Sequence, residues 1–462
     1  MQNNRIREPD MSVLPNAVLE ALTRLNARGY EAYLVGGCVR DLWMGRTPQD
    51  YDLTTSALPE ETEAVFSECR VVETGIRHGT VTVLIGGMAL EITTFRTDGV
   101  YSDGRHPDGV SFTRSLTEDL QRRDFTVNAI AWSPESGWRD PFGGREDIGK
   151  GILRCVGDPA ARFSEDALRI LRLVRFSSTL GFDADPETER AALELRHRLN
   201  LVSAERIYAE LTKLLCGPYA ERALMRYHPV LGTVIPDLTP CVGFPQITPY
   251  HQYDVYTHTC KVVSGVRPDP VLRWAALLHD VAKPECHAFY DGKSHFHGHP
   301  EQGALMAKCI LRDLRAERKT ADTVVRLIQF HDRLIPPERK AILRLLTDLP
   351  GEEALLLTDL MEADCEAKAE AGKRVIPEIR ELRNEIRSVL DGHPCLHVTD
   401  LHIRGKDLQD IGYLPGQAMG DCLKKLLQDV QDGTVPNETE ALLRRASELR
   451  IDLNDRPEDR PQ

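Results

Sequence analysis

Two carboxylates one residue apart, Asp50 and Asp52, follow a glycine pair, Gly36 and Gly37, and an arginine, Arg40. All lie in the stretch Val-Gly-Gly-Cys-Val-Arg-Asp-Leu-Trp-Met-Gly-Arg-Thr-Pro-Gln-Asp-Tyr-Asp-Leu-Thr at 35–54. On a strand, alternate side chains share a face, so the two acids would converge. Converging carboxylates repel unless a cation sits between them, and hard oxygen ligands favour Mg²⁺. Such an ion makes a hydroxyl a better nucleophile and neutralises a leaving pyrophosphate. Glu91, on a separate predicted strand, is a candidate third ligand. Gly36 and Gly37 would let a phosphate approach the backbone N–H groups of a helix start. Arg40, one turn into that helix, would hold a phosphate or a ribose hydroxyl. Each piece alone has a plainer explanation, an edge strand with two solvated acids or an ordinary strand–helix turn. Adjacency is what points to nucleotide chemistry.

Further along, Arg122-Arg123-Asp124-Phe125-Thr126-Val127-Asn128-Ala129 sets two arginines beside an acid and an amide, a group suited to triphosphate or ribose contacts. In 165–176, Asp166, Arg169, Arg172 and Arg175 recur every third position, which predicts a polar stripe on a helix. A carboxylate only accepts hydrogen bonds and a guanidinium only donates them. Cytosine and adenine both offer an amino donor beside a ring-nitrogen acceptor, while uracil and guanine present the reverse. An Asp166/Arg169 pair would therefore accept C and A and reject U and G, because the wrong base leaves buried polar groups unpaired.

A second set of chemistry-bearing residues lies in the C-terminal half. His258 precedes an apolar run, Val271–Leu278, that ends in His279-Asp280; His297, His299, His331-Asp332 and Asp364 follow. Imidazole and carboxylate together suit Mn²⁺, Fe²⁺, Ni²⁺, Zn²⁺ or, with more oxygen ligands, Mg²⁺.

The surrounding elements follow from periodicity. Residues 13–30 read as a helix ending at Gly29, 31–35 as a short apolar strand, and 38–44 as a helix stopped by Gly45. Strands are predicted at 50–54, 81–85 and 89–95, the last two joined as a hairpin by Gly86-Gly87. From about residue 158 the chain turns helical. A Pro/Gly-rich passage at 229–249 reads as a linker, 250–390 as a second helical section, and 391–462 as a small helical tail with polar, frayed last residues. The expected division is 1–145, 146–245, 246–390 and 391–462.

With 462 residues, 41% hydrophobic and 28% charged, the chain is expected to be a soluble multidomain protein. No apolar run is long enough to span a membrane, and the N-terminus lacks a secretory h-region. Eleven scattered cysteines without a Cys-x-x-Cys fit reduced thiols and a cytoplasmic setting. A net charge of −13 argues against general nucleic-acid affinity and leaves room only for a local basic groove.

The ordered motifs Val-Gly-Gly-x-Val-Arg-Asp, Asp-x-Asp, Arg-Arg-Asp-Phe-Thr-x-Asn-Ala, Asp-Pro-Phe-Gly-Gly and Glu-Asp-x-x-Arg-x-x-Arg run through about residues 28–240. Their series resembles the class II tRNA nucleotidyltransferase family, which includes CCA-adding enzymes and bacterial poly(A) polymerases. The resemblance implies an α+β chain. A polymerase-β-like nucleotidyltransferase head, a small mixed sheet with helices, would lead into an all-α neck and body. It implies catalytic Mg²⁺ at Asp50 and Asp52, and incoming nucleotide at Gly37, Arg40 and Arg123. Asp166 and Arg169 would be the amino-acid template, with Arg172 and Arg175 completing the pocket. Implied substrates are CTP and ATP, and the implied partner is tRNA along neck, body and tail. Thr97–Pro107 resembles the family's flexible loop, which favours addition of the terminal A.

The order H…HD…H…H…D over about 250–370 resembles the HD metal-dependent phosphohydrolases. That resemblance implies a helical HD domain holding an unidentified divalent metal. His258, His279, Asp280 and Asp364 would be its ligands, His299 and His331 would complete a two-metal site, and Asp359 competes with Asp364 for the last place. RNA ends bearing 2′,3′-cyclic or terminal phosphates are the substrates this implies. Poly(A) synthesis, partial CC or A addition, and a hydrolase with a nucleotide-sensing head are the alternatives.

Overall fold

The computed structural model describes residues 8–75, 79–98 and 110–454. They form two compact units, Met1–Thr239 with Asp313–Ala316, and Pro240–Arg312 with Glu317–Gln462. From Gly99 onward the loop expected at 97–107 lies outside the described residues, as does the tail from Asp455.

The first unit is built on a sheet of seven strands. These are β1 (Ala32–Val35), β2 (Asp52–Thr55), β3 (Arg70–Gly75), β4 (Thr80–Ile85), β5 (Met88–Thr94) and, after a separate pair β6 (Arg96–Asp98) and β7 (Val110–Phe112), β8 (Ala131–Ser133) and β9 (Gly137–Arg139). The order is β3-β4-β5-β2-β1-β8-β9. Only β2 and β5 run parallel within it, so the sheet is mixed. Strand β1 is buried along its length between two neighbours, and β4 alternates as a one-faced strand should. Gly86 and Gly87, at φ +57° and +84°, close the β4–β5 hairpin in the left-handed conformation that a two-residue turn requires.

Helix α1 (Asn16–Ala27) precedes β1, and α2 (Gly37–Trp43) follows it directly. Then come α3 (Pro59–Val65), α4 (Leu116–Gln121) and α5 (Gly144–Lys150), after which the unit is helical apart from a short parallel pair, β10 (Ile152–Leu153) and β11 (Asp183–Ala184): α6 (Pro159–Glu165), α7 (Leu168–Leu180), α8 (Pro186–Leu195), α9 (Ala204–Leu215), α10 (Ala220–Arg226) and α11 (His228–Val234). Tyr33, Val35, Phe95, Leu120 and Ala131 form part of a buried cluster beneath the sheet.

Three sequence expectations are corrected here. The strand expected at 50–54 begins at Asp52, and Asp50 lies in the bend before it. On the β1 side Val35 opposes Asp52, and the chain beyond Val35 leaves the sheet at Gly36, so that side has no partner left for Asp50. The helix expected through 165–176 is broken at Asp166, whose backbone is extended (φ −137°, ψ 102°). Its carboxylate accepts from the Leu168 N–H at 3.1 Å, the act of a residue that starts a helix rather than continues one. The passage at 229–249 is not all linker. It contains α11, because Pro229 fits a first helical turn and Val230 and Leu231 are buried.

In the second unit α12 (Val255–Gly265), α13 (Pro270–Leu278), α15 (Arg318–Phe330) and α17 (Glu352–Glu366) pack together, with α14 (His299–Asp313), α16 (Arg339–Asp348) and α18 (Ile376–Asp391) in the same run. Helix α13 is central, buried from Leu272 to Leu278 with Trp274 fully enclosed, as an all-round apolar helix should be. A hairpin of β12 (Ala288–Tyr290) and β13 (Lys293–His295) precedes α14. The tail helices α19 (Gly405–Asp410), α20 (Gln417–Gln431) and α21 (Thr439–Asn454) share a core of Leu408, Leu426, Leu442 and neighbours. Among the described residues no helix is long and apolar enough to cross a membrane.

Candidate active site

Gly36 joins β1 to α2 at φ +83° and ψ −136°, a conformation essentially reserved for glycine. A Cβ there would lie 3.2 Å from Arg123 Nη1 and 3.7 Å from Asp52 Oδ2. Glycine thus lets an arginine and a carboxylate close over the start of α2. Parallel pairing sets Asp52 opposite Glu91. The Asp52 carboxyl is pushed above its usual range by burial, then by Asp50 and Glu91, against a pull from Arg123. A group of acids short of positive charge is what a divalent cation would satisfy, so this donor set fits Mg²⁺.

Arg122 caps the C-terminus of α4, and Arg123 follows it. Arg122 gives Asp119 Oδ1 two bonds, at 3.0 and 2.8 Å, and Arg123 Nη2 lies 3.5 Å from Asp119 Oδ2. Burial works against the Asp119 charge, yet the two arginines hold its pKa down. Asp119 escaped sequence notice, although its spacing from both arginines is the i,i+3/i,i+4 signal of a helical ion pair.

Arg40 is buried, and its guanidinium is committed: Nη1 donates to Asn128 Oδ1 at 2.7 Å, Nε and Nη2 to Asp41 at 3.0 and 2.8 Å. Asn128 in turn donates to Asp124 Oδ1 at 3.0 Å, and Arg172 Nε donates to Asp124 Oδ2 at 2.7 Å. Arg175 pairs with buried Glu210 at 2.5 Å. The Phe176 ring carries Arg175 at 3.9 Å, Arg40 at 5.1 Å and Arg172 at 5.5 Å from its centroid. A continuous chain of contacts therefore runs from the glycine turn to the arginine face of α7. Glu210, on α9, has no local sequence signal; only the packing of α7 on α9 brings it in.

Asp166 and Arg169, three residues apart, each bond other groups. Arg169 donates to Glu165 at 2.6 Å and to the carbonyls of Arg162 and Arg122, at 3.0 and 2.9 Å. Asp166 accepts from Arg206 at 2.8 Å. Arg206 and Glu165 are thus parts of this corner that spacing alone did not single out.

In the second unit, His258 on α12, His279 and Asp280 after α13, His299 at the start of α14, His331 after α15 and Asp364 on α17 are all buried and face one another. Ligand atoms of His258, His279 and Asp364, and those of His279, Asp280 and His331, lie within 4.8 Å of one another. His279, His299 and His331 each set Nδ1 against a backbone carbonyl, of Ala276, Phe296 and Ile328, at 2.8, 2.8 and 2.7 Å. A carbonyl can only accept, so Nδ1 donates and Nε2 is turned inward as a ligand atom. His279 Nε2 and Asp280 Oδ1 are buried without a hydrogen-bond partner, and with its Nδ1 proton given to a carbonyl His279 turns an Nε2 lone pair toward the Asp280 carboxylate, 3.1 Å from Oδ2; acceptors set against one another mark a site that fits a metal ion. Burial pulls the His258 pKa below its usual value and that of His299 down to about 4; at His279 burial is outweighed by Asp280 and Asp364, which raise the pKa.

Two ammonium groups border the cluster. Lys283 Nζ lies 2.7 Å from Asp280 Oδ2, and Lys368 Nζ 2.7 Å from Asp364 Oδ2. Both lysines escaped the sequence reading, yet they stand only three and four residues after their acids. Asp359 instead meets Arg267 and Arg383, at 3.4 and 3.2 Å, which leaves Asp364 in the cluster. His297 is exposed and bonds Tyr290.

Comparison with known proteins follows the same division. A "Poly A polymerase head domain" model matches residues 32–154, a "Probable RNA and SrmB-binding site of polymerase A" model 181–241, and a "tRNA nucleotidyltransferase domain 2 putative" model 304–446. A CCA-adding enzyme of Leuconostoc mesenteroides is 33% identical, over 96% of this chain and 99% of its own length. One of Geobacillus stearothermophilus is 35% identical, over 92% and 94%. The crystal structure of the Bacillus stearothermophilus CCA-adding enzyme in complex with CTP superposes with a TM-score of 0.72 at 31% identity, covering 95% of this chain and 98% of that one. The Thermotoga maritima CCA-adding enzyme complexed with tRNA shares the fold at 19% identity and a TM-score of 0.58, over 96% of each chain. With identity above 30% sustained along nearly the whole of both chains, this chain belongs to the CCA-adding enzymes of the class II tRNA nucleotidyltransferase family.

Proposed function

We propose that this chain builds or repairs the 3′ CCA end of tRNA, transferring CMP from CTP and AMP from ATP without a nucleic-acid template. The observation that carries the reading is the closure of Asp52 and Arg123 over Gly36, linked through Asn128 and Asp124 to the arginines of α7. In the reaction the terminal 3′ hydroxyl attacks the α-phosphate. A new phosphate–oxygen bond forms, the bond to pyrophosphate breaks, and the hydroxyl proton is lost.

Asp50, Asp52 and Glu91 would hold Mg²⁺, which when bound supplies positive charge to the triphosphate and acidity to the hydroxyl. Gly36 and Gly37 expose the start of α2 to phosphate, and Arg123 stands beside it. Arg40 gives three of its five N–H donors to Asn128 and Asp41, which holds α2 and the Asn128 amide in register and leaves donors for a nucleotide. Asp166 spends one oxygen on Leu168 and one on Arg206, and a carboxylate oxygen has a second lone pair to offer a base amino group. With Arg169 it would select C and A, while Arg172 and Arg175 support the pocket from behind.

The domains we assign are a head at 1–145, neck and body at 146–245, an HD domain at 246–390 and a tail at 391–462, working in the cytoplasm. The test offers purified chain tRNAs ending before CCA, at C and at CC, with labelled nucleotides and Mg²⁺. Expected is completion to CCA with CTP and ATP, no use of UTP or GTP, and a stop at the terminal A. Long A tails would favour the poly(A) polymerase reading, and no incorporation would sink both.

A second reading rests on the buried His279 Nε2 and Asp280 Oδ1, which lack a hydrogen-bond partner. We infer that the cluster holds a divalent metal and hydrolyses phosphate esters at RNA ends, where a bound ion would supply an acidic water. His279→Ala should abolish hydrolysis of a 2′,3′-cyclic phosphate end while CCA addition continues at the wild-type rate. Loss of both activities with the fold intact would contradict two separate sites.

A further inference from the structure

The cavity over the histidine cluster has a volume of about 420 Å³. Its floor includes Asp280 and His331, its cations are Lys283, Arg333 and Lys368, set among four acids, and its rim carries His295 and His297. That rim continues into an aromatic array on the β12–β13 hairpin. Asp291 and Gly292, at φ +52° and +71°, make the turn, and Tyr290 opposes Lys293 while Ala288 opposes His295. Tyr290 and His295 therefore lie diagonally on one face. Their rings stack at 3.7 Å between centroids with 2° between planes. His295 is nearly parallel to His297, at 5.6 Å and 20°, and the Tyr290 hydroxyl bonds His297 Nε2 at 2.9 Å.

This array is held from behind. Ser294 is buried on the opposite face, its N–H donates to the Ile247 carbonyl at 2.9 Å, and its hydroxyl accepts from the Ile247 N–H at 3.2 Å. The front is open at Tyr290, which is 45% exposed, and at Lys293 and His297, while His295 between them is half-buried. A stacked, braced set of rings reaching solvent at the edge of a cavity that holds histidines, acids and cations is not what a stability role calls for. A phosphate at the end of RNA brings its ribose and base with it. With the phosphate in the cavity, a flat surface at the rim meets the base, and every base has a π-face to stack.

We propose that Tyr290, His295 and His297 form a nucleobase platform. The substrate of this cavity would then be a phosphate ester of an unpaired terminal nucleoside rather than a phosphate ester in general. The proposal rests on the phosphohydrolase reading of the same cavity. In the hydrolysis a water oxygen bonds to phosphorus, one ribose–oxygen bond to phosphorus breaks, and the water's proton ends on the released ribose hydroxyl.

The test compares adenosine 2′,3′-cyclic phosphate with ribose 2′,3′-cyclic phosphate, which lacks the base, using the full chain with Mn²⁺, Ni²⁺ or Mg²⁺. Wild type should prefer the nucleotide about tenfold or more in kcat/KM. Tyr290→Ala should raise KM for the nucleotide about fivefold or more, leave kcat unchanged, and leave the base-less ester untouched, in line with a single stacking contact. Tyr290→Phe should restore most of the preference. Independently of turnover, saturation transfer by NMR from the metal-free chain to the base protons of adenosine 3′-phosphate should fall in Tyr290→Ala. Hydrolysis of both esters without preference, or a Tyr290→Ala chain indistinguishable from wild type, overturns the platform and leaves the hydrolase reading standing. Hydrolysis of neither ester overturns that reading and the platform with it.

Discussion

Asp52→Ala should lower nucleotide incorporation by about a thousandfold or more without weakening the fold. The first half follows from charge. A metal held by carboxylates contributes several kcal/mol to a phosphoryl-transfer transition state, and each ~1.4 kcal/mol is a factor of ten in rate. Asp52 stands at the centre of the donor set, paired with Glu91 through the sheet and next to the Arg123 closure over Gly36. Losing it removes a ligand and leaves Arg123 facing an alanine. Single-turnover incorporation of CMP into tRNA lacking CCA, at saturating CTP and Mg²⁺, reads the effect directly.

The second half follows from the direction of the Asp52 pKa. Burial and the neighbouring Asp50 and Glu91 raise it in the folded chain. A carboxyl whose folded pKa is raised favours folding when protonated, and its penalty is complete once the pH exceeds the folded value. At pH 7 the ionised Asp52 is therefore a cost to the fold, and alanine removes it. The melting temperature of Asp52→Ala without Mg²⁺ should equal or exceed that of wild type. Added Mg²⁺ should raise the wild-type melting temperature more than the variant's. A variant that is inactive because it melts early, or one that retains a tenth of wild-type activity, would remove Asp52 from the metal site.

How much of this could be read from residues alone depended on how local the cause was. The Gly86-Gly87 hairpin was legible because the turn chemistry is contained in two residues. The start of β2 was not, since it is set by where β1 leaves the sheet, a fact about the partner strand. Counting every third residue carried the polar stripe straight through Asp166, although that residue ends one helix and starts the next. Periodicity sees side-chain spacing and is blind to a single extended backbone. In the second unit the histidines and acids were legible as types in order, and the structure brings His258, His279, Asp280, His299, His331 and Asp364 together. Lys283 and Lys368 were overlooked because a lysine is not a metal ligand, though their spacing from Asp280 and Asp364 was visible. The Tyr290 array had no signal at all before the hairpin register was known.

Asp124→Ala should destabilise the first unit by about 2–3 kcal/mol at pH 7 and also slow incorporation about tenfold or more. Asp124 is buried and accepts from its neighbour Phe125 N–H at 2.8 Å, from Asn128 at 3.0 Å and from Arg172 at 2.7 Å. Breaking a buried ion pair by removing one partner costs about 3–5 kcal/mol, because the other charge is stranded. Here the figure is discounted: the Arg172 side chain keeps 34% exposure, and Glu210 remains 4.0 Å away to share its charge. The catalytic loss has a different origin. Asn128 is the link between Asp124 and Arg40, so an unanchored Asn128 lets α2 drift under the triphosphate, and small misplacements of a positioning group are costly in rate.

The pH dependence has a definite sign. Burial alone would raise the Asp124 pKa, but Arg172 and Asn128 outweigh it and hold the carboxyl well below the usual range. A depressed folded pKa stabilises fully above the unfolded value, about 4, and the contribution fades as the pH falls through the folded one. Urea unfolding should therefore show the full gap between wild type and Asp124→Ala at pH 7, nearly the same gap at pH 5, and a shrinking one below pH 4. Asp124→Asn, which keeps an acceptor for Asn128 and loses the charge, should fall between them in stability and recover much of the incorporation rate. A gap that persists undiminished at pH 2, or an Asp124→Asn chain as slow as Asp124→Ala, would show that the carboxylate does not couple the two halves of the transferase site through charge and hydrogen bond as drawn.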